Sequence, residues 1–316
     1  MAEPLIVVED VVKAYGARTA LDRVCFSVHG GMVTGLLGPN GAGKSTTLSI
    51  IATLLVPDRG SVTVAGLRLP AEARPARRII GLVPQRLALY PTLTATENLE
   101  FFSRMQGLRG REARAAVERV LALVALDGRA HEPVGQFSGG MRRRLNLACG
   151  ILHRPRVVLL DEPTAGVDPQ SRERIFEAVE TLARDGAAVL YSTHYMEEAQ
   201  RLCAQVVLLD DGHVVATGTP AELVAQTGMR PRVELRTAHP LPAGWLDAAP
   251  VARLVEHEGT AITLEVTHDP DVASVLLAVV RAGGNVVEMS VHHPDLADAF
   301  FVLTGRALRD EDGARE

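Results

Sequence analysis

The chain is short of several things, and each shortage narrows what it can be. Its 316 residues hold three cysteines, Cys25, Cys149 and Cys203, with no C-x-x-C pair and no Cys/His ligand spacing. That excludes a disulfide framework and a zinc module, and the three read as buried, reduced thiols. No uncharged apolar run approaches the roughly 18 residues that cross a bilayer; the longest, near 272–280, is far too short. The opening MAEPLIVVED has no basic stretch before an apolar core, so the sequence predicts no secretory signal and a chain kept in the cytosol. Concentrated positive charge is missing too. The net charge is −5 and uneven: residues 231–316 carry seven arginines and fourteen acids, a net of −7 that leaves +2 for residues 1–230. Neither part offers the basic face that nucleic acid or an anionic lipid surface needs. His292 and His293 are adjacent, poorly placed to share a metal, and read as loop residues.

Lysine is scarce in a telling way. Of 33 basic residues only Lys13 and Lys44 are lysine. Lys44 lies in Gly38-Pro39-Asn40-Gly41-Ala42-Gly43-Lys44-Ser45-Thr46, which fits the phosphate-loop pattern G-x-x-x-x-G-K-[ST]. Glycines let the backbone wrap so that its N–H groups and the start of the next helix face an anion. A compact ammonium suits that place better than a wide guanidinium. The pattern has Lys44 reach the β- and γ-phosphates and the Ser45 hydroxyl ligate Mg²⁺.

Around the loop, residues 4–37 alternate short apolar runs with turns and read as strands, the last delivering the loop. Tyr15 stands upstream, either a core residue or an aromatic free to stack on a base. Helical periodicity follows in STTLSIIATLL, and SVTVAG is a strand. Gln85 ends the apolar strand IIGLVP, either as a surface residue or within reach of a metal ion or water. Thr94 and Glu97 have capping-box spacing at the start of a helical run that extends to about 150. Within that run Ser138, Gly139 and Gly140 precede an amphipathic helix, either as a Gly-rich helix entry with no ligand or as a second helix-terminus anion site. The apolar run VVLL then ends in Asp161 and Glu162, where carboxylates stand beside the ligand crevice of an open α/β sheet. One can hold Mg²⁺ while the other orients or deprotonates an attacking water. After a helix and the strand AAVLYST comes His194, just past the strand's end.

In this order the motifs over residues 4–222 resemble the ATP-binding subunits of ATP-binding-cassette transporters. The resemblance implies subunits that dimerise head to tail, with each ATP between the phosphate loop of one and the signature, residues 137–141, of the other. By carry-over the N–H groups of 41–46 and Lys44 bind phosphates, Tyr15 stacks on adenine, and Ser45, Gln85 and Asp161 serve Mg²⁺. Glu162 is the general base, His194 holds the γ-phosphate and water in line, and Asp168, in Gly166-Val167-Asp168, couples the two sites. Ser138, Gly139 and Gly140 contact the γ-phosphate in trans. The family's usual Leu-Ser-Gly-Gly-Gln is here bounded by Phe137 and Met141, and methionine lacks the glutamine's hydrogen bonds. FSGGMRRRLNLA, LYPTLTATENLEFF and HHPDLADAFFVLTGR look like exporters of the daunorubicin-resistance type.

The fold expected is α/β: a phosphate-loop nucleotide-binding domain over 1–228, with a helical subdomain at about 88–153, then a small α+β domain over 229–305. A polar tail, 306–316, ends the chain. The expected function is the ATPase of an exporter for a drug, antibiotic or lipid-like cargo. It would work as a homodimer on a separate integral membrane permease, peripheral at the cytoplasmic face, with no nucleic-acid partner. A soluble cassette switch acting on DNA or ribosomes is the alternative, though paired cassettes, coiled-coil insertions and basic arms are missing; a phosphate-loop kinase would leave the signature and His194 unexplained. The segment with Leu87, Leu89 and Tyr90, placed in a helix beside Gln85, either forms a groove for a helix of the membrane partner or packs within the cassette.

Overall fold

Residues 3–249, 252–267 and 271–305 are described by the structure, a computed structural model; the expected tail at 306–316 lies outside them. The first strands, β1 (Pro4–Tyr15) and β2 (Arg18–His29), pair antiparallel. In β2 the sequence V-C-F-S-V alternates faces. Val24, Phe26 and Val28 turn inward and Cys25 turns out, so Cys25 is exposed rather than buried as expected. Cys149 and Cys203 are buried, and loss of solvation pushes both thiols far up.

Strand β3 (Met32–Leu37) runs into helix α1 (Lys44–Ile51). Then come β4 (Arg59–Val64), β5 (Leu67–Leu69), the short α2 (Ala73–Arg77) and β6 (Ile80–Val83). The helical part holds α3 (Ala95–Met105), α4 (Gly110–Leu123) and α5 (Gly139–Gly150). The chain returns to the sheet with β7 (Val157–Asp161), α6 (Pro169–Arg184), β8 (Ala188–Thr193) and α7 (Met196–Leu202). Strands β9 (Gln205–Asp210) and β10 (His213–Gly218) close it.

Two sheets result. One is antiparallel in the order β2-β1-β4-β5; the other runs β10-β9-β3-β8-β7-β6, parallel except for the edge strand β10. β8 is buried at every residue, as expected for a parallel strand covered on both faces. Leu48, Ile50 and Ile51 of α1 share one core with Ile6 and Val8 of the first sheet and Leu159 and Leu190 of the second. Each such side chain contributes about 1.5–3 kcal/mol by leaving water, so the helix behind the phosphate loop is firmly seated.

The capping box at α3 is formed as expected: Thr94 Oγ1 accepts the Glu97 N–H, and Glu97 returns the bond to the Thr94 N–H. Thr94→Ala should lower stability by about 1 kcal/mol, read as a lower thermal midpoint. The segment before it differs from expectation. Residues 84–93 are irregular, and the helix starts only at Ala95. Pro91 disfavours helical backbone at Tyr90. Two buried asparagines serve the freed backbone instead: Asn146 Oδ1 accepts from Ala88 N–H at 3.1 Å and Asn98 Oδ1 from Tyr90 N–H at 2.8 Å.

The chain divides into two compact units at Pro220, and the expected boundary at 228 lies just beyond. Helix α8 (Pro220–Gln226) stands at the division. The second unit, to Val302, contains β11 (Arg232–Thr237), β12 (Ala252–Glu258), β13 (Ala261–Val266), α9 (Asp271–Arg281) and β14 (Val286–His292), with α10 (Leu296–Thr304) following. Its antiparallel sheet, β12-β13-β11-β14, shares a core with α9 through Val233, Leu235, Ile262, Leu264, Val275 and Val279. Trp245, in a short 3-10 turn that the sequence reading did not foresee, joins that core. His292 ends β14 rather than lying in a loop.

Candidate active site

Three neighbouring parallel strands end together. Leu37 of β3 is level with Thr193 of β8, and Ser192 of β8 with Asp161 of β7. The phosphate loop, the acid pair and His194 therefore leave the sheet at one edge, its carboxyl end, where open α/β sheets bind ligands.

The loop is held from behind. A Cβ on Gly38 would lie 2.0 Å from the Leu209 carbonyl oxygen, and one on Gly43 2.6 Å from Leu21 Cδ2. Gly43 is also the N-cap of α1, with φ of 109°, and no side chain caps that helix. Its first N–H groups are thus left for an anion. Ala42 is packed in the core, while Asn40, Gly41, Gly43, Lys44, Ser45 and Thr46 line a cleft of about 530 Å³ together with Tyr15, Gln85 and Glu162.

Lys44 is 5% exposed. Its ammonium donates to the Gly38 and Pro39 carbonyls at 2.8 and 3.1 Å and stands 3.5 Å from the Glu162 carboxylate. Burial lowers its pKa, partly offset by Glu162 and Asp161. A cation so poorly solvated gains from an arriving polyanion.

Glu162 is the centre of the cleft. Its Oε2 accepts from Gln85 Nε2 at 2.9 Å, and its Oε1 lies 3.2 Å from His194 Nδ1. The backbone at Glu162 is left-handed, φ 44°, and its N–H is accepted by Ser192 Oγ at 3.1 Å and by the Ser192 carbonyl at 3.2 Å. Such backbone is uncommon away from glycine and concentrates at functional sites. Beside it, Asp161 Oδ1 accepts from Ser45 Oγ at 3.2 Å and from Ser192 Oγ at 2.8 Å. The Ser45 hydroxyl and the Asp161 carboxylate are close enough to share one small ion, and with the Gln85 amide oxygen they are the hard oxygen donors that Mg²⁺ takes.

Tyr15 is 49% exposed at the cleft, which removes the core reading. Arg18, which the sequence reading passed over, lines the same cleft and donates to the Gly41 carbonyl at 3.2 Å.

Four expected site residues lie apart from this cleft. Ser138 caps α5, accepting from Met141 N–H at 3.2 Å, and Gly139 meets nothing within 4 Å of a built Cβ. Gly140 is pressed against α6: a Cβ there would fall 2.1 Å from Ser171 Oγ and 2.6 Å from Asp168 Oδ2. Asp168 caps α6 through the Ser171 N–H at 2.9 Å, and that bond holds its carboxyl below the usual range. Arg143, also unforeseen, joins the two regions by donating from α5 to the backbone carbonyl of Gln85.

Phosphoryl transfer asks a protein chiefly to position a phosphate and neutralise its charge, and the cleft is built to do both. Fold and site together define a phosphate-loop ATPase. Residues 21–165 match the family model described as ABC transporter. The linearmycin resistance ATP-binding protein LnrL of Bacillus subtilis (strain 168) is 42% identical over 96% of this chain and 99% of its own length. The daunorubicin resistance ATP-binding protein DrrA3 of Streptomyces coeruleorubidus is 38% identical over 99% and 100%. The Nod factor export ATP-binding protein I of Ralstonia nicotianae (strain ATCC BAA-1114 / GMI1000) is 39% identical over 97% and 96%. Among solved structures, an ATP-binding subunit of an ABC transporter superposes with a TM-score of 0.65 at 33% identity, covering 71% of this chain and 93% of that one. A dimeric post-hydrolysis state of the cassette MJ0796, bound to ADP and Pi, gives 0.62 at 29% identity, covering 68% and 98%. The chain belongs to the ATP-binding-cassette transporter family and is an ATP-hydrolysing subunit of its exporter type. The soluble switch on DNA or ribosomes is not favoured by these relatives.

Proposed function

We propose that the chain hydrolyses ATP at sites shared by two copies and so drives a separate membrane permease that exports a drug, antibiotic or lipid-like cargo. The observation that carries the hydrolytic part is Glu162 gathered between Lys44, Gln85 and His194. Lys44 and the N–H groups of residues 41–46 hold the phosphates, and Tyr15 stacks on the base. Ser45, Asp161 and Gln85 hold Mg²⁺, which supplies charge neutralisation on the phosphate oxygens when bound. Glu162 takes the proton of the attacking water, with His194 keeping water and γ-phosphate in line. Ser138, Gly139 and Gly140 serve the partner's nucleotide, and Asp168 links the two sites.

The separation of residues 138–140 from the cleft supports the shared site, as does the dimer described for MJ0796. Cargo class follows the named relatives, two of them resistance proteins and one an exporter. Among the described residues no helix is long and apolar enough to cross a membrane; in this reading the path is supplied by a permease. Its docking face is the apolar patch beside Gln85, where Leu87, Tyr90, Phe101 and Met105 are 39, 45, 38 and 69% exposed. Co-expressed with its permease, the chain should sediment with membranes, and the double change Tyr90→Glu, Met105→Glu should shift it to the soluble fraction. Full membrane retention of that variant would remove the patch from the proposal.

A further inference from the structure

Glu198, on α7, takes no part in the contacts above, yet it is 3% exposed. A buried carboxylate is a costly way to fill space, and well-packed apolar residues are often as good or better. This one is heavily engaged. Its Oε2 accepts three hydroxyls, from Thr164 at 2.9 Å, Tyr191 at 2.9 Å and Thr193 at 3.0 Å. Arg172 Nε stands 3.5 Å from its other oxygen. Burial, reinforced by the Glu198 charge, pushes the Tyr191 phenol up and keeps it a donor.

What these groups have in common is their place in the chain. Thr193 immediately precedes His194, and its hydroxyl oxygen also accepts the Tyr195 N–H at 3.0 Å, so the bonds bracket the histidine on both sides. Thr164 follows Glu162 on the segment leading to Asp168, and Arg172 lies in the first turn of the helix that Asp168 caps. Three hydroxyls and one ion-pair partner, from β8, the 162–168 segment and α6, therefore meet on one carboxylate. We infer that Glu198 is a positioning residue for hydrolysis: it ties the His194 turn and the 162–168 segment to one buried point and so fixes His194 against Glu162. The inference rests on the proposed roles of Glu162 and His194.

Steady-state ATPase of the purified full chain with Mg²⁺ and ATP tests it. Glu198→Ala should lower kcat by about tenfold or more, as small misplacements of reacting groups do, while KM for ATP stays within about twofold. The phosphate loop and Tyr15 are not tethered to Glu198. Glu198→Gln keeps an oxygen for the hydroxyls and should restore most of the rate. Thr193→Val, of similar volume but without the hydroxyl, should reproduce part of the loss even if Glu198→Ala fails to fold. In a His194→Ala background neither change should cost more, because groups acting as a unit are not additive. A full additional loss in that background, or a raised KM with unchanged kcat, would overturn the inference alone. An unchanged kcat in His194→Ala itself would overturn the site reading and this inference with it.

Discussion

Glu162→Gln is expected to hydrolyse ATP about a thousandfold more slowly than the native chain, within the range that loss of a general base costs, while binding ATP at least as well. The amide keeps the shape of the carboxylate but cannot take a proton from water. It also removes the negative charge 3.5 Å from the Lys44 ammonium, leaving that buried cation freer for phosphate. Bound nucleotide should then persist, and size-exclusion chromatography in Mg²⁺ and ATP should show an accumulating dimer that the native chain forms only transiently. Undiminished turnover in the variant would sink the assignment of the base.

Mixing a Lys44→Ala chain with a Ser138→Arg chain should recover activity that neither has alone. Lys44→Ala empties the buried cation site of the cleft, and an arginine at Ser138 puts bulk and positive charge at the open start of α5 beside Gly139. Within one chain the two positions lie apart, so neither defect can be repaired in cis. In a head-to-tail heterodimer one composite site carries both defects and the other carries none. With random pairing, half the dimers hold one good site of two, and roughly a quarter of native activity should return. A mixture no more active than its components would count against the shared site.

Much of this was readable in advance because it is local. Buried parallel strands spell themselves as unbroken apolar runs, and the phosphate loop needs glycines where Leu209 and Leu21 leave no room for a Cβ. The second unit is α+β as expected, an antiparallel sheet with helix α9 packed into its core. What stayed hidden is set by contacts between distant residues. Arg143 meets Gln85 across 58 positions and Glu198 meets Thr164 across 34, and no pattern near either marks the partner. The alternation V-C-F-S-V already turned Cys25 outward, and Pro91 already argued against a helix through Tyr90.

The left-handed backbone at Glu162 sets fold and chemistry against each other at a single residue. An acidic side chain there carries a conformational cost of roughly 1–3 kcal/mol, one that glycine would largely escape. A glycine at 162 would relieve that backbone cost but would also take away the carboxylate beside Lys44, Gln85 and His194 on which the proposed hydrolysis depends.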